Sequence, residues 1–116
     1  MIFKKKKSQQ ETKLVLCNSD YKKGKNGLLE CPCCGNFTIE DTWINGEPLE
    51  VITDICSVCF WNFDLVDQEN PDRPMGPNAV SLNQSKKNYE KFGAVEQRLF
   101  KYVREPLPEE LPENNE

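Results

Sequence analysis

Cys31-Pro32-Cys33-Cys34-Gly35 and Cys56-Ser57-Val58-Cys59 are the stretches whose reading decides how this chain folds. Each holds a Cys-x-x-Cys pair. Two thiolates at that spacing can lie on one side of a tight turn, and two such turns facing each other complete a tetrahedron. The expected metal ligands are therefore Cys31, Cys34, Cys56 and Cys59, and the expected ion is Zn2+. Iron is the alternative, because four thiolates also suit Fe in a rubredoxin-like electron carrier.

Local chemistry supports the first turn. Pro32 pre-sets φ directly after the first ligand, and Gly35 can take the left-handed conformation directly after the second. The second pair is followed by Phe60 and Trp61 without a glycine, which predicts a less regular turn. Those aromatics are expected to roof the site and keep water out. Cys33 sits between two ligands and is expected near the ion with its thiol turned away. It is an auxiliary thiol, open to roles as spare ligand, redox-sensitive group or plain filler. Cys17 belongs to no spaced pair and reads as a small buried hydrophobe.

Other chemistries fit less well. Cys31-Pro32-Cys33-Cys34 matches the Cys-Pro-x-Cys of glutaredoxin-like thiol enzymes, but that chemistry needs a helix N-terminus at the first cysteine. Here Gly35-Asn36-Phe37-Thr38-Ile39 reads as turn and strand. A catalytic zinc keeps an open position and commonly uses His ligands, and the chain has no His. No nucleophile–base pair or phosphate loop is visible, so no enzymatic activity is expected. Asp64, Asp67, Glu69 and Asp72 lack the spacing of a calcium loop and read as solvated surface. Trp43, Trp61, Phe60 and Phe63 read as core around the metal rather than a platform for bases.

Composition sets the frame. With 116 residues, eight prolines and 29% charged residues, the chain holds material for one small domain with a modest core. Mean hydropathy of -0.70 agrees. Scaffolds of this kind need a metal, disulfides or a partner for stability. Met1-Ile2-Phe3 followed by Lys4 to Lys7 has no apolar core of a secretory signal, and no apolar run is long enough to cross a bilayer. A reducing, cytoplasmic setting is expected, where paired thiols read as metal ligands; a disulfide framework is the alternative.

The net charge of -4 is unevenly spread. Residues 1–30 carry +5 and residues 31–116 carry -9. Nucleic-acid binders concentrate basic charge on the folded domain, and here it lies on the N-terminal extension instead.

Three segments follow. Residues 1–12 read as a flexible Lys-rich tail, 13–104 as a single zinc-ribbon-like domain, and 105–116 as a disordered acidic tail. Within the domain, Leu14-Val15-Leu16-Cys17 suggests an edge strand, followed by loop. Phe37-Thr38-Ile39 alternates as a strand does. Thr42-Trp43-Ile44, Asn45-Gly46 and Leu49 to Ile55 suggest a hairpin, since both central positions of a type I′ turn need positive φ. Residues 62–78 read as loop. Ser81-Leu82-Asn83-Gln84 is a capping-box pattern opening a helix that Gly93 stops. Val95, Leu99, Tyr102 and Val103 suggest a second, shorter helix before Pro106. The fold class is thus α+β: a small zinc ribbon of about three short antiparallel strands with two metal knuckles, followed by two C-terminal helices.

Beyond the cysteine pairs, Ile55, Phe60-Trp61, Asn78-x-Val80-Ser81-Leu82-Asn83, Asn88 and Phe92-Gly93-Ala94 make a recognisable order of motifs. Over residues 29–105 the chain resembles the cysteine-rich CPCC family of small, mostly bacterial proteins. It departs after Trp61, where Asn62-Phe63-Asp64 replaces a more acidic run, and the extension carrying Cys17 lies outside the pattern. The resemblance implies a zinc ribbon in a cytoplasmic setting and carries over no catalytic residue.

The expected function is a non-enzymatic zinc-binding protein that works as a protein-interaction module. The expected partner is a protein, a basic one by charge, with no membrane and little affinity for nucleic acid. Three alternatives stand beside it: an immunity or antitoxin-like protein neutralising a basic toxin, a nucleic-acid-binding zinc ribbon, and a rubredoxin-like electron carrier or thiol redox protein. Sequence alone does not define the oligomeric state.

Overall fold

The computed structural model describes residues 21–40, 43–44, 47–48 and 54–116, with backbone alone for 43–44 and 47–48. The tail over 1–12, the strand at Leu14–Cys17, the Asn45-Gly46 turn and most of the strand after it lie outside the described residues.

Strands β1 (Leu29–Glu30) and β2 (Phe37–Ile39) pair antiparallel around the first cysteine pair, with Leu29 opposite Ile39 and Glu30 opposite Phe37. Strands β3 (Trp43–Ile44) and β4 (Glu47–Pro48) form a second antiparallel pair, with Trp43 opposite Pro48 and Ile44 opposite Glu47. The strands do not join in the single three-stranded sheet expected of a ribbon: among the described residues they form two separate pairs. Each strand has two or three residues, too few to carry a continuous ladder past a cysteine turn. The second turn is closed by an isolated bridge between Ile55 and Asn62.

The segment expected as loop from Asn62 to Asn78 contains a helix, α1 (Leu65–Glu69). Asp64 caps it by accepting from the Asp67 amide at 2.9 Å, and such a side-chain oxygen satisfies an otherwise orphaned helix donor. Helix α2 (Leu82–Phe92) begins and ends as the sequence indicates. Ser81 accepts from the Gln84 amide at 3.1 Å, and Gly93, at φ 84°, donates its amide to the Tyr89 carbonyl. Gln84 does not reach back to complete the capping box; its amide donates to Asn88 Oδ1 at 2.9 Å.

The second expected C-terminal helix is a 3-10 segment, Gln97–Tyr102. Its start is anchored where the Val95 amide donates to the Cys59 carbonyl and Asn88 Nδ2 donates to the Val95 carbonyl. The acidic tail expected to be disordered instead folds into two 3-10 turns, Pro108–Glu110 and Pro112–Asn114. Its composition misleads because two specific anchors hold it. Arg104 grips Glu110 with both guanidinium nitrogens at 2.8 Å. The Asn26 amide donates to Asn115 Oδ1, while Asn26 Nδ2 donates to the carbonyls of Phe37 and Glu109. Gly24 permits this approach, for a Cβ there would collide with the Asn115 side chain and the Phe37 ring.

The core runs from Leu29 and Ile39 through Val58, Trp61 and Phe63 to Leu82, Ala94, Val95 and Leu99, with buried cysteines at its centre. Among the described residues, no helix is long and apolar enough to cross a membrane.

Candidate metal centre

The two cysteine turns have the same backbone design. In the first, the Cys31 amide donates to the Asn36 carbonyl and the Gly35 amide to the Cys31 carbonyl, at 2.8 and 2.9 Å. In the second, the Cys56 amide donates to the Trp61 carbonyl and the Phe60 amide to the Cys56 carbonyl, at 2.9 and 2.8 Å. Gly35 has φ 83° and Phe60 has φ 75°. The second turn is therefore as regular as the first, against expectation. Phe60 takes the left-handed conformation despite its Cβ, at a cost on the order of 1–2 kcal/mol, because the turn's hydrogen bonds demand it.

These turns bring four sulfurs together. The ligand atoms of Cys31, Cys34, Cys56 and Cys59 all lie within 4.8 Å of one another. Cys31 Sγ is 3.6 Å from Cys59 Sγ, and Cys34 Sγ is 3.7 Å from Cys56 Sγ. A tetrahedron with metal–sulfur bonds near 2.3 Å has an edge of about 3.8 Å, so these sulfurs are spaced as ligands. They are well beyond the roughly 2.05 Å of a disulfide, and all five described cysteines are free thiols. Cys31, Cys56 and Cys59 are fully buried and Cys34 is partly exposed.

Four clustered thiols, three of them buried, cannot share negative charge freely. Burial pushes the Cys31 thiol up, and the neighbouring thiols of Cys31, Cys33 and Cys34 push Cys59 up. Hydrogen bonding with Cys31 draws Cys34 down, and bonding with Cys31, Cys34 and Cys59 draws Cys56 down. A cation held by these four thiols would supply the missing countercharge, and its binding would release the remaining protons. The donor set, all sulfur, suits a soft or borderline ion and leaves no protein position open.

Further donors address the sulfurs. Within the second turn, the Val58 amide points at Cys56 Sγ and the Trp61 amide at Cys59 Sγ, both at 3.4 Å. From beside and within β2, Asn36 Nδ2 lies 3.3 Å from Cys34 Sγ and Thr38 Oγ1 lies 2.9 Å from Cys56 Sγ. Tyr89 on α2 faces the cluster; burial first, and then the charge on Cys34 and Cys59, push its hydroxyl up to about 12. Sequence reasoning did not identify Asn36, Thr38 or Tyr89. The signal for the first two was a pair of polar residues alternating with Phe37 and Ile39.

Residues 29–110 match the cysteine-rich CPCC family. The chain belongs to that family. No curated protein and no solved structure matches it. In this CPCC chain the third of the consecutive cysteine-turn residues, Cys33, is buried but lies outside the four-sulfur group. Trp61 is fully buried and donates Nε1 to Gln68 Oε1 at 2.9 Å. Gln68 Nε2 in turn donates to Tyr21 Oη at 2.7 Å.

In the acidic loop Glu69 and Asp72 are exposed as expected, but Asp67 departs from the expectation. Asp67 is not solvated surface: it is 1% exposed. Its carboxylate accepts from the amides of Met75, Gly76 and Asn78 and from Asn78 Nδ2, at 2.7, 2.6, 3.2 and 2.8 Å. Burial alone pushes this carboxyl up, but the Asn78 side chain and the three amides outweigh it and hold it below the usual value.

Proposed function

We propose that this protein is a non-enzymatic zinc-binding protein whose metal holds together a surface used to bind another protein. The observation that carries the reading is the closed set of four cysteine sulfurs, spaced for a tetrahedral ion with no position left for substrate. A site of that kind stabilises a fold, so function is carried by the surface it shapes. Zinc is preferred over iron because no redox partner chemistry is needed for a structural role. A colourless protein with one zinc per chain is expected, and a red one would carry iron instead. The free thiols favour a reducing, cytoplasmic compartment.

Two features favour protein over nucleic acid as the partner. Residues 31–116 carry -9, and four thiolates around a divalent ion add to the negative field. Duplex DNA and RNA are densely anionic and would be repelled, whereas a basic protein would be steered in. Ile55, Phe100 and Tyr102 leave large apolar side chains exposed near the second turn, with Tyr102 62% exposed, and such side chains serve as anchors at interfaces.

The test pairs elemental analysis with binding assays. One zinc per chain, no shift of generic DNA or RNA at physiological salt, and capture of a basic protein released by added salt are the expected results. Tight nucleic-acid binding that survives deletion of residues 1–12 would overturn the reading.

A further inference from the structure

Backbone amides that point at the sulfurs come with the turn itself, whatever the side chains. Asn36 and Thr38 are different, since their contacts depend on residue identity. Asn36 stands immediately before β2 and Thr38 within it. Two residues apart, both reach the sulfur cluster, while Ile39 belongs to the core and the Phe37 ring lies against Gly24 and Lys22. Asn36 and Thr38 are 4% and 8% exposed. Uncharged polar groups so placed destabilise a small core unless hydrogen-bonded. Thr38 Oγ1 has Cys56 Sγ as its partner at 2.9 Å, and Asn36 Nδ2 has Cys34 Sγ at 3.3 Å. One short segment thus addresses one sulfur from each turn.

We propose that Asn36 and Thr38 are positioning residues of the metal centre. Their N–H and O–H donate to the Cys34 and Cys56 thiolates, fix the sulfurs' orientation and disperse part of their charge. Thiolates accept and never donate, so once an ion is bound the Thr38 hydroxyl is the donor. The bond from Asn36 matters most, because Cys34 is the partly exposed sulfur. Outer hydrogen bonds of this kind are worth roughly 10- to 100-fold in metal affinity. The inference rests on the metal-centre reading and adds which residues set the strength of binding.

Cobalt(II) is the probe, because its thiolate charge-transfer absorption reports the electron richness of the sulfurs directly. The full chain, Thr38→Val, Thr38→Ser and Asn36→Ala are each loaded with cobalt and competed against a chromophoric chelator. Thr38→Val and Asn36→Ala are expected to move the charge-transfer band to longer wavelength and weaken binding about 10- to 100-fold. Thr38→Ser keeps the hydroxyl and is expected to restore both. Bands unmoved in both variants would overturn the proposal. So would a Thr38→Ser that behaves like Thr38→Val, or that fails to fold with metal as Thr38→Val does, since the threonine methyl would then be what counts. A parent chain with no thiolate–cobalt band would instead remove the metal-centre reading itself.

Discussion

Asn78 donates its side-chain amide to the Asp67 carboxylate at 2.8 Å, and the same Asn78 accepts from the Asn62 amide at 3.0 Å through Oδ1. A second bond from Asn78 Nδ2 to the Asn62 carbonyl, at 2.8 Å, closes the pair. The segment between α1 and α2 is therefore tied to the residues that follow the second cysteine turn. Through Asn62 opposite Ile55, the acidic loop buttresses the cysteine cluster.

Replacing Asp67 with Asn should remove the anion that three backbone amides and Asn78 address. A loss of about 2–3 kcal/mol at neutral pH is expected, the range for breaking charged hydrogen bonds in a buried network. The folded carboxyl titrates below its ordinary value, so its contribution is full above about 4 and is lost as pH falls through that region. Denaturant melts of parent and variant should thus differ most near neutrality and converge on acidification. A gap independent of pH would show that shape, not charge, holds the loop.

Metal and folding should be inseparable. Cys56 accepts from Val58 and Thr38 and pairs with Cys34, so Cys56→Ser is expected to abolish one-to-one metal binding and unfold the chain. Cys17→Ser should leave both intact. Native mass spectrometry and circular dichroism read the two properties together, and removal of metal with a strong chelator should reproduce the Cys56→Ser spectrum.

Gly35 meets nothing within 4 Å of where a Cβ would sit, yet its φ is 83°. Gly35→Ala should therefore cost only the conformational term, about 1 kcal/mol, visible as a lowered melting temperature with metal stoichiometry unchanged. A cost of several kcal/mol would mean the turn opposes any side chain at that point.

The C-terminal turns should depend on one ion pair. Hydrogen bonding with Arg104 holds the Glu110 carboxyl below its usual value, and the Leu107 amide donates to the same carboxylate at 2.9 Å. Since Arg104 remains 42% exposed, solvent screens the pair, and Glu110→Ala is expected to cost about 1 kcal/mol. The clearer readout is local: hydrogen exchange and proteolysis over residues 105–116 should accelerate while the cysteine core stays protected.

How much of this was legible beforehand follows from the range of each interaction. The two Cys-x-x-Cys turns, the cap at Ser81 and the stop at Gly93 are local, each set by residues within a few positions, so spacing and residue type alone determined them. The α1 helix was marked by Asp64 three residues before Asp67, but the surrounding prolines and acidic residues hid it. Burial of Asp67 could not be read from composition, because its partners Met75, Gly76 and Asn78 come from a later loop that must first fold over it. Phe60 was misjudged because residue propensity favours glycine at positive φ, while the hydrogen bonds of the turn outweigh a strain of about 1–2 kcal/mol. The C-terminal segment was read as disordered from its glutamates and prolines, and only the meeting of Asn26 with Asn115, 89 residues apart, gives it a place. Sequence alone determined which thiols pair on each turn; tertiary structure decided which side chains surround them, because those partners converge only once distant segments have packed.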